Sequence, residues 1–341
     1  MANSLPRGSA LPFPILIADI GGTNARFAIL KDVHAAPVEF GDTKASTYET
    51  FNEAVQQQVL DHTSLMPQTA VIAVAGPIKG DRIDLTNNHW IVEPLRMLEE
   101  LSLKHVVVIN DFEAQALAVV SLEDKHLKRI GDGVFDGAAN RVVIGPGTGL
   151  GVAGIVHAAN TWIPVAGEGG HVDLGPRTPR DTEIFPHIQT IGGRVSGEQV
   201  LCGRGLVNLY CAVAKASGSD PAYETPEDIT NAALSDADAV ASETISLFSE
   251  YLGRVAGDLA LVFMARGGVY ISGGITLKMG GAFDEQRFLT GFKNKEPHND
   301  IMAQISAAVV THDRAPMEGL AAYAKTPSRF GVALDGRYWR S

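Results

Sequence analysis

Two segments of this chain repeat one plan, and that plan limits the folds open to it. ILIADIGGTNARFAIL (15–30) runs apolar to Asp19, turns through Gly21-Gly22-Thr23 and resumes an apolar run at Phe27. RVVIGPGTGLGVAGIV (141–156) does the same, and Gly147-Thr148 stand where Gly22-Thr23 stand in the first. Glycine accepts the positive φ that a tight connection can demand, so strand, glycine turn, strand is the economical reading of both. A dinucleotide-binding loop would lead into a helix, and the first segment carries no G-x-G-x-x-G. No G-x-x-x-x-G-K-[ST] occurs anywhere, so a Walker-type P-loop is excluded.

The segments between and after them alternate. Residues 49 to 62 read as helix, AVIAVAGPI (70–78) as a buried strand, and Leu95 to Leu101 as a short helix. HVVVIND (105–111) is a further apolar strand, and the FEAQALAVV that follows is rich in strong helix formers. A long helix is expected over 240–265, with Ile245, Phe248, Leu252, Val255, Leu259 and Val262 on one stripe. It should end at Gly267-Gly268, with VYISGGI following as a strand and a third glycine turn. Alternation of this kind predicts an α/β architecture. The repeated turn suggests two related half-structures, each presenting one loop.

Composition bounds the rest. A chain of 341 residues favours two domains, and 45% hydrophobic residues supply a sizeable core. With 28 Lys and Arg against 39 Asp and Glu, the net charge is −11. That balance gives no basic footprint for nucleic acid and no attraction to an anionic membrane. An anionic substrate must therefore be held by local features. Two cysteines, Cys202 and Cys211, exclude a disulfide scaffold and a four-cysteine zinc site. Reduced thiols, an opening segment too polar for a signal peptide and no apolar run of ~18 residues predict a soluble cytoplasmic protein.

Three strand-to-glycine turns suit polyphosphate. Rows of backbone N–H groups make an anion nest without a positive side chain, which an acidic protein needs. Asp19, just before the first turn, suits Mg²⁺ held through water, and Thr23 and Thr148 could add hydroxyl donors. The competing reading is that these are structural turns and Asp19 caps one. Asn110-Asp111 ends an apolar strand, the place where open α/β sheets gather ligands, yet Asp111 is equally a good N-cap for the next helix. In GEGGH (167–171), Glu168 and His171 suit a ligand rich in hydroxyls, or form an exposed polar loop. No Cys/His spacing accompanies them, so a protein-bound zinc is not expected. Glu198, in SGEQVLCGRGL, reads as lying at a helix start, where a carboxylate also suits the dipole.

D-I-G-G-T-N-A-R (19–26), N-D-F-E-A (110–114), G-P-G-T-G-L-G (145–151) and G-E-G-G-H (167–171) together resemble the bacterial glucokinase family. The S-G-E-Q-V-L-C-G-R-G-L and S-G-G-I segments strengthen the resemblance, which runs from about Ile15 to about Tyr323 in one motif order. It implies an α/β, two-domain actin-like (ribonuclease H-like) ATPase fold with a central cleft. A small domain would comprise 15–121 and 312–341, and a large one 122–311. It further implies ATP phosphates at Ala18, Asp19, Ile20, Gly21, Gly22 and Thr23 and at Gly147, Thr148 and Gly149, with Gly273 and Gly274 near the adenosine. Glucose would be held by Asn110, Asp111, Glu168, His171 and Glu198, with Asp111 as catalytic base. Mg²⁺ would arrive with the nucleotide, without a structural metal, and relatives suggest a homodimer. HVDLGPRTP follows GEGG without a cysteine, which sets the chain apart from the zinc-dependent branch. The expected reaction is ATP-dependent phosphorylation of the 6-hydroxyl of glucose. The rivals are a kinase for another hexose and an actin-like conformational ATPase without a sugar substrate.

Overall fold

The computed structural model describes residues 9–341, so the start of the opening segment lies outside the described residues. Contacts divide the chain into two units. One holds the described part of Met1–Leu122 with Ile155–Ala166 and Asp313–Ser341; the other holds Glu123–Gly154 and Gly167–His312.

The strands, in chain order, are β1 (Ile15–Ile20), β2 (Asn24–Leu30), β3 (Val38–Lys44), β4 (Thr69–Val74), β5 (Ile83–Asp84), β6 (Ile91–Val92) and β7 (His105–Asn110). They continue with β8 (Leu127–Ile130), β9 (Arg141–Pro146), β10 (Leu150–Ala158), β11 (Thr161–Gly167), β12 (Val269–Ile271), β13 (Ala307–Val310) and β14 (Tyr338–Arg340). One six-stranded sheet has the order β3-β2-β1-β4-β7-β14 and the other β11-β10-β9-β12-β13-β8. In each, three consecutive strands are followed by two parallel ones and closed by an antiparallel edge strand. The recurrence of this order is the pair of related half-structures that the repeated turns suggest. The closing strands differ in origin: β8 precedes its sheet in sequence, whereas β14 comes from the end of the chain.

The strand registers set what the turns present. Ile20 pairs with Val74, and Val74 with Asn110, so β1, β4 and β7 reach their carboxyl ends in one row. The same pairing of Ile144 with Ile271, and Ile271 with Val309, levels β9, β12 and β13. Continuous apolar runs such as ILIADI and TAVIAV are buried because both faces of a central strand are covered. Leu16, Phe27, Phe51, Ile72, Trp90, Val108 and Trp339 share one core. Val142, Ile144, Leu206, Phe248, Leu252, Val255 and Phe292 share the other.

The long helix spans Ala239–Phe263 and buries Ile245, Phe248, Leu252, Val255 and Leu259. Val262 departs from the expected stripe: it is 77% exposed, while Ala260 is buried and Leu261 and Phe263 pack against the core, so in the last turn the buried face has moved off Val262's side of the helix. Met264 in the left-handed region (φ 45°) closes the helix, ahead of the expected glycines. The third glycine turn also differs from expectation. β12 stops at Ile271, and Gly273-Gly274 lead into a short helix, Gly274–Met279. Gly273 has φ 113°, and a side chain there would lie 2.5 Å from the Pro146 carbonyl oxygen, so only glycine fits this turn against the end of β9.

Candidate active site

In the first unit the β1–β2 hairpin makes the Ala18–Thr23 segment. Ala18 and Ile20 are buried in the core, which leaves Asp19 between them facing the other way. Hairpin register sets Asp19 opposite Arg26, whose guanidinium comes to 3.5 Å from its carboxylate. Arg26 is shared with Asp42, also at 3.5 Å, and Arg314 in turn joins Asp42 and Glu39. Asp19 is only 12% exposed, and burial pushes its carboxyl up to about 6 despite the opposing pull of Arg26. The turn itself is fixed by Gly21 N–H donating to the Asn24 carbonyl and by Asn88 Nδ2 donating to the Gly21 carbonyl. The amides of Gly22 and Thr23 have no hydrogen-bond partner among the described residues. They are the free donors an anion nest requires.

At the end of β7 the helix Asp111–Ala118 begins. Its N-cap is Asn110 instead of Asp111: Asn110 Oδ1 accepts from Phe112 N–H at 2.9 Å and from Glu113 N–H, and Glu113 returns a carboxylate to Asn110 N–H at 3.1 Å. This capping box settles the cap reading in favour of Asn110 and frees Asp111 from that role. Asp111 is half-buried at the first helical position, with one carboxylate oxygen accepting from Phe112 N–H. Burial pushes its carboxyl up to about 6, and the charge of Asp19 adds to the rise. A carboxylate ionised near neutral pH yet raised towards it suits a proton acceptor.

In the second unit Gly147–Gly149 connects β9 to β10. Gly147 N–H donates to the Gly149 carbonyl, and the first amide of the helix Gly203–Ala216 donates to the Gly147 carbonyl at 2.9 Å. Thr148 is exposed, and the amides of Thr148 and Gly149 have no partner among the described residues. Gly273-Gly274 follow β12, which lies beside β9, so the second and third turns leave neighbouring strand ends.

Glu168, His171 and Glu198 come together here. His171 Nε2 lies 3.9 Å from a carboxylate oxygen of each glutamate. Glu168 is 90% exposed at the end of β11, whereas Glu198 is only 13% exposed. One Glu198 oxygen accepts from Leu150 N–H at 2.9 Å and the other from Arg204. The expectation that Glu198 opens a helix is corrected: it sits in a single 3₁₀ turn, Gly197–Gln199, and the helix begins at Gly203. No group of three or more His, Cys, Asp or Glu among the described residues has a metal-holding arrangement.

Four residues that shape these sites were not singled out from sequence: Arg26, Glu113, Arg204 and Arg337. Glu113 stands three residues after Asn110, a capping-box spacing that was legible. Arg26 follows from the hairpin register once the turn is counted. Arg337 reaches Glu113 across 224 positions, and no local pattern announces it.

The glucokinase family model matches residues 16–327. A glucokinase of Chelativorans sp. is 57% identical over 340 residues, covering 100% of this chain and 99% of the relative. A glucokinase of Agrobacterium fabrum is 58% identical over 331 residues, covering 97% of each. A crystal structure of glucokinase from an Antarctic psychrotroph superimposes with a TM-score of 0.82 at 34% identity, covering 91% of this chain and 98% of that one. Fold and site thus define a sugar kinase built on the two-domain actin-like ATPase fold. Within that class the chain belongs to the glucokinase family. Its reaction is the ATP-dependent phosphorylation of glucose.

Proposed function

We propose that Asp111 is the catalytic base that receives the proton of the glucose 6-hydroxyl as it attacks the terminal phosphate of ATP. The observation that carries this reading is the shared row of Ile20, Val74 and Asn110, which brings the Asp19 turn and Asp111 to one sheet edge. Phosphoryl transfer passes through a loose transition state, so the protein chiefly positions groups and neutralises charge. Free amides of Gly22, Thr23, Thr148 and Gly149 support phosphate contacts along Ala18–Thr23 and Gly147–Gly149, with Gly273 and Gly274 near the adenosine. Asn110, Glu168, His171 and Glu198 join Asp111 in holding glucose hydroxyls. A site built to hydrogen-bond a sugar hydroxyl can reject a sugar that lacks it by as much as ~10⁴-fold.

Mg²⁺ fits this set as a partner of the nucleotide. Asp19 supplies one carboxylate beside the first turn, which matches a cation that keeps most of its waters. When bound, Mg²⁺ neutralises charge developing on the phosphates. We further assign a cytoplasmic location, in keeping with two free cysteines and with described helices none of which is long and apolar enough to cross a membrane. The resemblance to bacterial glucokinases supports a homodimer.

Asp111→Asn tests the assignment. Asn110 already caps the helix, so the variant should fold as the wild type does. An amide cannot take the proton, and kcat should fall by ~10²–10⁴-fold with a much smaller change in glucose affinity. Retention of more than about a tenth of wild-type kcat would remove Asp111 from the role.

A further inference from the structure

We infer that Arg337, on the C-terminal segment, is a positioning residue for catalysis, acting through Glu113 to hold the Asn110-Asp111 junction in its working geometry. The inference rests on the assignment of Asp111 as base. Glu113 is buried, and one of its carboxylate oxygens accepts from both Asn110 N–H at 3.1 Å and Arg337 Nη1 at 2.6 Å. The same Asn110 returns its side-chain oxygen to Phe112 and Glu113 N–H. Arg337 therefore closes a chain of bonds that fixes the residue immediately before Asp111.

The backbone reinforces the side chain. Val108 N–H donates to the Arg337 carbonyl at 3.0 Å, and β14 runs antiparallel to β7 with Tyr338 opposite Val107. Strand β7 thus gains its outer partner from β14, and the side chain of Arg337, immediately before β14, reaches Glu113 beyond the far end of β7, where the proposed base stands. A buried carboxylate with a single ionic partner cannot lose that partner without moving or drawing in water. Movement at Glu113 transmits directly to the Asn110 amide. Displacement of a reacting group by about 1 Å can cost ~10²-fold in rate.

The test compares Arg337→Met, Arg337→Lys and Trp339→Phe in the full-length protein. Trp339 lies on the same segment and donates to Asp81 Oδ1 at 2.7 Å, so Trp339→Phe weakens the docking of β14 without touching Glu113. Arg337→Met should lower kcat at least ~10-fold at saturating glucose and ATP, with glucose KM within about threefold. Arg337→Lys keeps a cation near Glu113 and should recover most of that loss. Trp339→Phe should lower the melting temperature while leaving kcat within about twofold. In an Asp111→Asn background, Arg337→Met should cost nothing further, because the group it positions is gone. Equal kcat losses in Arg337→Met and Trp339→Phe would overturn the inference, as would a full additional loss on top of Asp111→Asn. A fully active Asp111→Asn would instead defeat the base assignment, an outcome read from that single variant alone. If Arg337→Met does not fold, Arg337→Gln takes its place: a kcat deficit in Arg337→Gln that Arg337→Lys recovers and Trp339→Phe lacks supports positioning, and wild-type kcat in Arg337→Gln or a deficit shared with Trp339→Phe overturns it.

Discussion

Glu198 accepts the backbone N–H of Leu150 at 2.9 Å, so a carboxylate proposed to hold the sugar also pins the first residue of β10, immediately after the Gly147–Gly149 turn. Gly149 permits this approach, since a side chain there would stand 2.7 Å from the Glu198 oxygen. Removal of Glu198 should therefore damage both substrates. Glu198→Ala should raise glucose KM and should also raise ATP KM by ~10-fold, the scale of one lost hydrogen bond to a charged group. Initial rates at varied ATP and saturating glucose measure it. An ATP KM within twofold of wild type would show that the turn does not depend on Glu198.

Activity should fall on the acid side of about pH 6. As the proposed base, Asp111 must be ionised to accept a proton, and its carboxyl is pushed up to about 6 by burial and by the charge of Asp19. Asp19 titrates in the same range, so the limb belongs to the pair and not to one residue. The measurement is kcat/KM for glucose between pH 4.5 and 8 at constant ionic strength. A profile flat down to pH 5 would contradict the buried-base reading.

Much of this site was legible because glycine turns and apolar strand runs are local patterns. The β1–β2 and β9–β10 turns fall where the sequence puts them, and the three parallel strand ends follow from apolar runs of similar length. Local ambiguity explains the cap. Asn and Asp are equally good N-caps and stand side by side, and only Glu113, three residues after Asn110, decides between them. Glu198 was misread because SGEQVLCGRGL carries helix-start chemistry twice, at Ser196 and again at Cys202, and only the second begins an α-helix. Val262 keeps the helical period of its stripe, but period alone does not say which face of the last turn meets the core, and there it is the face of Ala260 and Phe263. Arg337 was beyond reach because its partner lies across the fold.

The nucleotide-free protein should lose stability as pH rises from 4 to 7, in part through Asp19. Its folded carboxyl is pushed up to about 6 from the ordinary 3.8 of an aspartate, so the folded state binds the extra proton between those values. That contribution is complete below pH 3.8 and is lost as pH passes through about 6. Asp19→Asn removes it, so the melting temperature of the variant relative to wild type should climb across this window, by the equivalent of up to ~3 kcal/mol. Parallel melting curves for the two proteins from pH 4 to 7 would refute the burial argument.

Gly319 separates helix propensity from packing. It lies in the helix Ala315–Lys325, where alanine would ordinarily gain ~1 kcal/mol over glycine. Here a side chain would meet the Ala114 carbonyl oxygen at 2.0 Å and the Ala118 amide at 2.8 Å, both in the helix that begins with Asp111. Backbone atoms cannot swing aside as a flexible side chain can, so Gly319→Ala must push the two helices apart. Overpacking of this kind costs ~1–3 kcal/mol, which outweighs the propensity gain. The melting temperature should drop by several degrees, at ~2–4 °C per kcal/mol for units of this size. Because the displaced helix carries the proposed base at its first position, kcat should fall as well, while ATP KM, which the proposal ties to the glycine turns, should change little. A melting temperature equal to or above wild type would show that the helices yield at that contact and that the close approach is not a constraint on this fold.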